Sequence, residues 1–341
     1  MKLKKLIFSE NATFKKSYNL FLALTQWKIF KNSKLITYPA ALTVCTGNIC
    51  NLGCRLCPTG QNDKGRSKGF LSLAIFKNIM DECGPYLWEL NLYNWGEPLL
   101  NKDLFEMVRY AKRFKVRITI STNLNHFNDS ICSDLVLSGL DEVVVSLDGT
   151  SQESVSQYQV GNDFKKVVGH IAKLANCKNK LNKKQPVITW RLLVNRYNEN
   201  EIAKARDLSR EIGVDQLKIN KFRCDMGKEL LYNNEQQFKN VSHWLPTDES
   251  LSFYDYTEKG KKKIKNCRWL WLRSSINWNG SVAPCCAVWH EKYDFGNIQD
   301  SSFKTVWNSA KYREARKIFR THRIRSADNI CSICHANQSI I

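Results

Sequence analysis

Apolar residues recur along this chain in two rhythms. Short β-rich runs at Leu42–Cys45, Glu89–Tyr93, Val116–Ser121, Glu142–Leu147, Val187–Val194 and Gln216–Ile219 predict strands. Between them, helical spacing predicts Leu73–Cys83, Leu104–Phe114, Ser130–Leu137, Phe164–Leu181 and Glu201–Ile212. Ser72, Asp103, Asn128 and Asp129 stand where N-caps are expected. Strand-then-helix units predict parallel strands joined by crossover helices. Six such units are fewer than a closed TIM barrel uses. The expected fold is therefore α/β, a partial (β/α)6 TIM-like barrel with a lateral opening.

Past Arg223 the pattern changes. Residues Met226–Lys263 are polar and irregular, ending in a basic run from Lys259 to Lys263. Ser274–Trp278 and Ser281–Pro284 flank Asn279-Gly280, which predicts a hairpin. A helix is expected over Phe303–Phe319. The division that follows is an N-terminal helical segment at 1–40, a barrel core at 41–225 and a small cysteine-rich domain at 226–341, with the boundary near Cys224–Lys228. In the first segment, Phe14, Tyr18, Phe21, Leu22 and Trp27 stand among lysines. An apolar helical stripe usually faces a core, so packing on the barrel is expected. A helix lying on a membrane surface is the alternative.

Composition narrows the class. The 341 residues are 43% hydrophobic, enough for a large core. No run approaches the roughly 20 apolar residues that span a bilayer. The basic start Met1–Lys5 is followed by an apolar run broken at Ser9, Glu10 and Asn11, unlike a secretory signal. A cytoplasmic protein is expected. The net charge of +20 would suit an anionic partner, although lysine and asparagine are abundant throughout. Without export, thirteen cysteines point to metal or cluster ligation before disulfides.

Cys50, Cys54 and Cys57 follow the first strand. Thiolates are the standard ligands of iron–sulfur clusters. Three of them leave one iron of a 4Fe–4S cube open, as catalysis requires. A zinc ion would need a fourth ligand, and no histidine is near in sequence. The spacing C-x3-C-x2-C resembles that of the radical S-adenosylmethionine (SAM) superfamily. The resemblance implies that the open iron binds the amino and carboxylate groups of SAM, which is cleaved to methionine and a 5′-deoxyadenosyl radical that takes hydrogen from substrate. Leu56 stands where many members carry an aromatic residue. Tyr93-Asn94-Trp95-Gly96-Glu97-Pro98 is similar to the family's G-G-E-P motif, with Trp95 replacing the first glycine. By that resemblance Glu97 receives the SAM ammonium. Ser121-Thr122-Asn123 and Val145–Gly149 end the third and fourth strands, where polar groups face a ligand crevice. Asn123, Ser146 and Asp148 are candidate SAM contacts, and Arg191 on the fifth strand is a candidate for its carboxylate.

A second set, Cys267, Cys285, Cys286, Cys331 and Cys334, lies near the end of the chain. By spacing alone, four thiolates could hold a closed cluster or zinc. The pattern from Cys267 through Asn279-Gly280 and Cys285 to Cys331-Ser-Ile-Cys334 resembles the SPASM/twitch domain. That resemblance implies one auxiliary 4Fe–4S cluster on Cys267, Cys285, Cys331 and Cys334. Cys286 is the alternative to Cys285, and His335 adjoins the hook. Cys45 is expected in the core, with a spare-ligand role as the alternative. Cys83, Cys132, Cys177 and Cys224 carry no expected chemistry.

An auxiliary cluster suits oxidation of a substrate radical, hence an oxidoreductase-type reaction. The expected substrate is a small molecule such as a sugar or aminocyclitol. About 40 residues precede the first strand, fewer than the leader-binding domain of many peptide-modifying relatives. A peptide or protein maturase is the alternative. A flavodoxin or ferredoxin is the expected reductant. The basic segment Lys311–Arg325 would suit nucleic acid, but that reading leaves the three-cysteine site unexplained. Peripheral membrane contact stays open.

Overall fold

The computed structural model describes residues 10–223, 235–254, 256, 267–321 and 329–336. The expected boundary at Cys224–Lys228, the lysine run at 259–263, Arg323 and Arg325 lie outside them.

The strands are β1 (Ala41–Val44), β2 (Glu89–Asn91), β3 (Arg117–Thr122), β4 (Glu142–Ser146), β5 (Val187–Val194) and β6 (Gln216–Lys221). Each pairs in parallel with the next. Ahead of them lies α1 (Phe14–Lys28). Between them run α2 (Leu73–Cys83), α3 (Leu104–Lys112), α4 (Asp129–Leu137), α5 (Gln152–Tyr158), α6 (Phe164–Lys180) and α7 (Ile202–Glu211). Ser72 and Asn128 cap α2 and α4 through their side chains. Asp103 makes no side-chain cap. Instead Asn101 accepts from its N–H.

The sheet runs β6-β5-β4-β3-β2-β1-β7-β8-β9 and does not close. β7 (Arg273–Ile276) and β8 (Ser281–Ala283) form the expected hairpin, with Gly280 at φ +79° in the turn. β7 also pairs in parallel with β1, so the C-terminal segment continues the main sheet. β9 (Gly296–Asn297) completes the order. Next come α8 (Glu235–Ser242), α9 (Trp269–Leu272), α10 (Phe303–Trp307), α11 (Ala310–Thr321) and α12 (Ile330–Ala336). The single helix expected over 303–319 is two, parted at Asn308-Ser309.

Alternation within the strands sorts the side chains. Leu42, Leu90, Ile118, Val143, Ile188 and Trp190 are buried beneath the helices. Burying each aliphatic side chain contributes about 1.5–3 kcal/mol. The opposite, concave face is polar. Near the strands' N-terminal ends, Arg273 meets Glu89, while Arg117 and Lys218 both meet Glu142. A concave face lined by charges is built to hold polar material rather than to pack dry. No described helix is long and apolar enough to cross a membrane.

Candidate active site

The triplet loop leaves β1 and is pinned on two sides. On one side Gly53 N–H donates to Val160 O at 2.9 Å and Arg55 N–H to Tyr158 O at 3.0 Å. On the other, Glu97 N–H donates to Ile49 O at 3.0 Å. The fit is close enough to require glycine. A Cβ on Gly96 would lie 2.3 Å from Gly47 O, and one on Gly60 would lie 2.6 Å from Cys54 N.

Cys50, Cys54 and Cys57 lie within electrostatic reach of one another, with the Glu97 and Asp148 carboxylates beside them. Burial pushes the Cys50 thiol up to about 11 and the Cys54 thiol well above its ordinary value. Such thiols ionise readily only if a cation compensates them, and bound metal supplies that charge. Among the described residues, no group of three or more His, Cys, Asp or Glu is arranged around a single metal ion. Three thiols with no other metal-binding side chain type among them are a donor set that fits an iron–sulfur cluster.

Glu97 ends the β2 turn and is buried. Its carboxylate accepts from Thr122 Oγ1 at 2.6 Å, Asn123 N–H at 2.8 Å and Leu99 N–H at 3.1 Å. Burial raises it to about 7, against the pull of those donors. A carboxylate offers about four acceptor positions, so room for one more donor remains. The Asn123 side chain donates to Asn51 Oδ1 at 2.9 Å and sits 3.7 Å from Cys50 Sγ. Ser121 and Ser146 hydroxyls stand 3.1 Å apart, and Arg191 Nη2 reaches both, at 3.1 and 2.5 Å. Arg191 Nε is buried without a partner among the described residues. Asp148 Oδ1 accepts from Leu193 N–H at 2.9 Å, and burial raises this carboxyl to about 6. The structure therefore places Glu97, Asn123 and Asp148 at the C-terminal ends of β2, β3 and β4 beside the triplet, with Ser146 at the end of β4 bonded to Arg191 in the middle of β5.

Trp95, in place of the motif glycine, packs edge-on against Trp289 at 5.5 Å between ring centres and buries Cys45 with it. Cys45 donates to Gly47 O at 3.1 Å, as a core thiol does. Leu56 packs against a cluster of Phe222, Trp244, Leu245 and Tyr254, together with Tyr158. Sequence reasoning passed over Tyr158, whose buried phenol lies near Cys54, Cys57 and Asp148. Trp244 and Tyr254 were hidden in a segment that reads as polar.

The second set gathers at the far side of the hairpin. Cys267, Cys285, Cys331 and Cys334 interact electrostatically with one another. Cys286 is turned toward Arg223, Arg273 and Tyr93 instead. Arg316 is fully buried beside Cys331, with no carboxylate partner among the described residues. Burial lowers it to about 9, and among the described residues its Nη2 makes no hydrogen bond. A buried lone guanidinium is costly unless an anion is near. A cluster ligated by four thiolates is such an anion.

The family described as Radical SAM superfamily matches residues 44–208, and SPASM, described as an iron–sulfur cluster-binding domain, matches residues 267–335. The chain is 23% identical over 309 residues to the tungsten-containing aldehyde ferredoxin oxidoreductase cofactor-modifying protein of Pyrococcus furiosus, covering 83% of this chain and 85% of that one. It is 26% identical over 291 residues to the mycofactocin maturase MftC of Mycolicibacterium smegmatis, covering 82% and 73%. The fold is similar to that of Streptococcus suis SuiB bound to precursor peptide SuiA, with TM-score 0.65 at 16% identity, covering 96% of this chain and 77% of that one.

Proposed function

This chain belongs to the radical SAM superfamily and carries a SPASM iron–sulfur domain, and from that premise we propose that it modifies a peptide. That it is a radical SAM enzyme, with a SAM-binding 4Fe–4S cluster and auxiliary cluster chemistry, follows from the two matched domains. When bound, the cluster and SAM supply a 5′-deoxyadenosyl radical. In this reading Cys50, Cys54 and Cys57 hold the first cluster. Glu97 accepts from the SAM ammonium with its remaining lone pair, while Thr122, Asn123 and Leu99 keep it in place. Arg191, anchored by Ser121 and Ser146, offers its unpartnered Nε to the SAM carboxylate. Asp148 has one oxygen free among the described residues for a ribose hydroxyl. Cys267, Cys285, Cys331 and Cys334 would hold one auxiliary cluster, which would supply electron-transfer chemistry there.

The sequence pointed to a small molecule, on the length of the stretch before β1. The relatives weigh the other way, since they include a maturase, and the fold is one in which a precursor peptide has been seen bound. The observation that carries the peptide reading is the open sheet. Among the described residues, β6 pairs with no further strand on its outer side, and Phe222 just after it forms an isolated bridge to Ser252. An extended chain can reach the polar concave face there, or add to the strand edge.

The test is anaerobic. Reconstituted enzyme, SAM and dithionite are incubated with synthetic peptides encoded beside its gene, and 5′-deoxyadenosine and peptide mass are followed. A peptide that gains a modification as 5′-deoxyadenosine forms is the expected result. Turnover on aminocyclitols or sugars alone would return the small-molecule reading. Independently, Cys54→Ala should abolish 5′-deoxyadenosine formation. Retention of it would remove the assignment of the triplet.

A further inference from the structure

The helix α1 has two dissimilar faces, and among the described residues only one is covered by the fold. Lys16, Asn19, Leu20, Ala23 and Gln26 are buried against the barrel. On the opposite stripe, at helical spacing, Phe14 is 86% exposed, Tyr18 55% and Phe21 66%. The apolar ridge continues past the helix end through Ile29 and Phe30, 71% and 61% exposed. Phe14 and Tyr18 stack at 6.0 Å, forming one aromatic surface. Solvent exposure of so many large apolar side chains in one row marks an interaction surface.

Charge identifies the partner. Residues 11–40 contain five lysines and no aspartate or glutamate. Lys16 is buried, while Lys15, Lys28 and Lys34 are exposed around the ridge. The whole chain carries +20, so a second copy would meet the same charge. Projecting aromatic side chains rimmed by lysines suit a deformable anionic surface, where rings enter the headgroup layer and ammonium groups stay among phosphates. We infer that the Phe14–Phe30 ridge docks the protein on an anionic lipid bilayer.

The placement of α1 fits that role. Lys16 Nζ donates to Lys115 O at 2.6 Å and Trp88 Nε1 to Lys16 O at 3.4 Å. Asn19 Nδ2 donates to Tyr38 O at 3.0 Å. These partners precede β3, β2 and β1, so α1 crosses the N-terminal ends of the strands. The triplet loop and Glu97 lie at the other ends. A bilayer under α1 would leave the site and the β6 edge open to substrate.

Co-sedimentation of the full, anaerobically reconstituted chain tests this with two extruded vesicle preparations. One is phosphatidylcholine alone, and the other contains about a third phosphatidylglycerol. Binding to the anionic vesicles only is expected, weakening as salt is raised. The double variant Phe14→Ser/Phe21→Ser should bind at least about tenfold more weakly. Its 5′-deoxyadenosine formation and melting temperature should not change. Failure to sediment with either vesicle would overturn the inference, and so would binding indifferent to the serine substitutions. Self-association lost in the serine variant would assign the ridge to a second copy. A fall in its melting temperature would assign the ridge to cover by residues 1–9. None of these outcomes touches the radical chemistry, which the Cys54→Ala assay tests separately.

Discussion

At the scale of single residues, two adjacent cysteines have different fates. β8 ends at Ala283, and Cys285 then lies within electrostatic reach of Cys286, Cys267, Cys331 and Cys334, while Cys286 also lies near Arg273 and Tyr93. Cys285→Ala should therefore lower the iron of reconstituted protein from about eight per chain toward about four. Cys286→Ala should leave it unchanged. Iron and sulfide analysis checks both, and the reverse result would exchange the two assignments. The cysteine triplet and the Gly96-Glu97-Pro98 turn stood out in the sequence because each is a short, local spacing of residue types. Tyr158 was not, since a lone tyrosine on a short amphipathic helix has no signature until its neighbours are known.

At the scale of elements, α1 shows how a helix can bury a charge. Lys16 keeps its ammonium beneath the helix, bonded to the carbonyl oxygens of Lys115 and Asn11. Burial is the main cause that lowers it from 10.5 to about 8, with Lys112 and Lys115 adding to the effect. The unfolded chain therefore holds this proton to higher pH than the folded one. Stability from this group rises with pH between about 8 and 10.5, as the buried charge is discharged. Melting temperatures from about pH 7 to 10.5 should rise for wild type relative to Lys16→Met. Parallel curves would mean that the ammonium is not held in a desolvated state. Strand and helix positions were legible from period alone. The Gln152–Tyr158 helix was missed because its Ser151 capping box precedes a stretch with little apolar content. The break at Asn308 was missed too. There Asn308 turns its side chain to the backbone of Leu35, with Nδ2 donating to Leu35 O at 3.0 Å and Oδ1 accepting from Leu35 N–H at 2.7 Å.

At the scale of the molecule, the triplet loop and the SPASM domain are tied by one buried ion pair. Arg66, just after the loop, is fully buried and meets both Asp294 carboxylate oxygens at 2.9 Å. It also donates to Trp289 O at 2.7 Å and Ser281 Oγ at 3.0 Å. Removing one partner of such a pair leaves an uncompensated charge, at about 3–5 kcal/mol. Asp294→Ala should lose roughly that much stability in denaturant unfolding. A loss under about 1 kcal/mol would show the pair to be solvated.

The sequence by itself determined the β/α alternation, the hairpin, the triplet and the four cysteines of the C-terminal set. Each of these is local: a period, a turn dipeptide or a ligand spacing is written within a few residues. Only the tertiary structure decided that β7 joins β1, that Arg66 reaches Asp294, that Arg316 lies buried beside Cys331, and that one face of α1 stays bare. The Arg66 and Asp294 side chains, for example, come from positions 228 apart. Pairing at such separation is set by which faces and edges are left to bury once the local elements have formed.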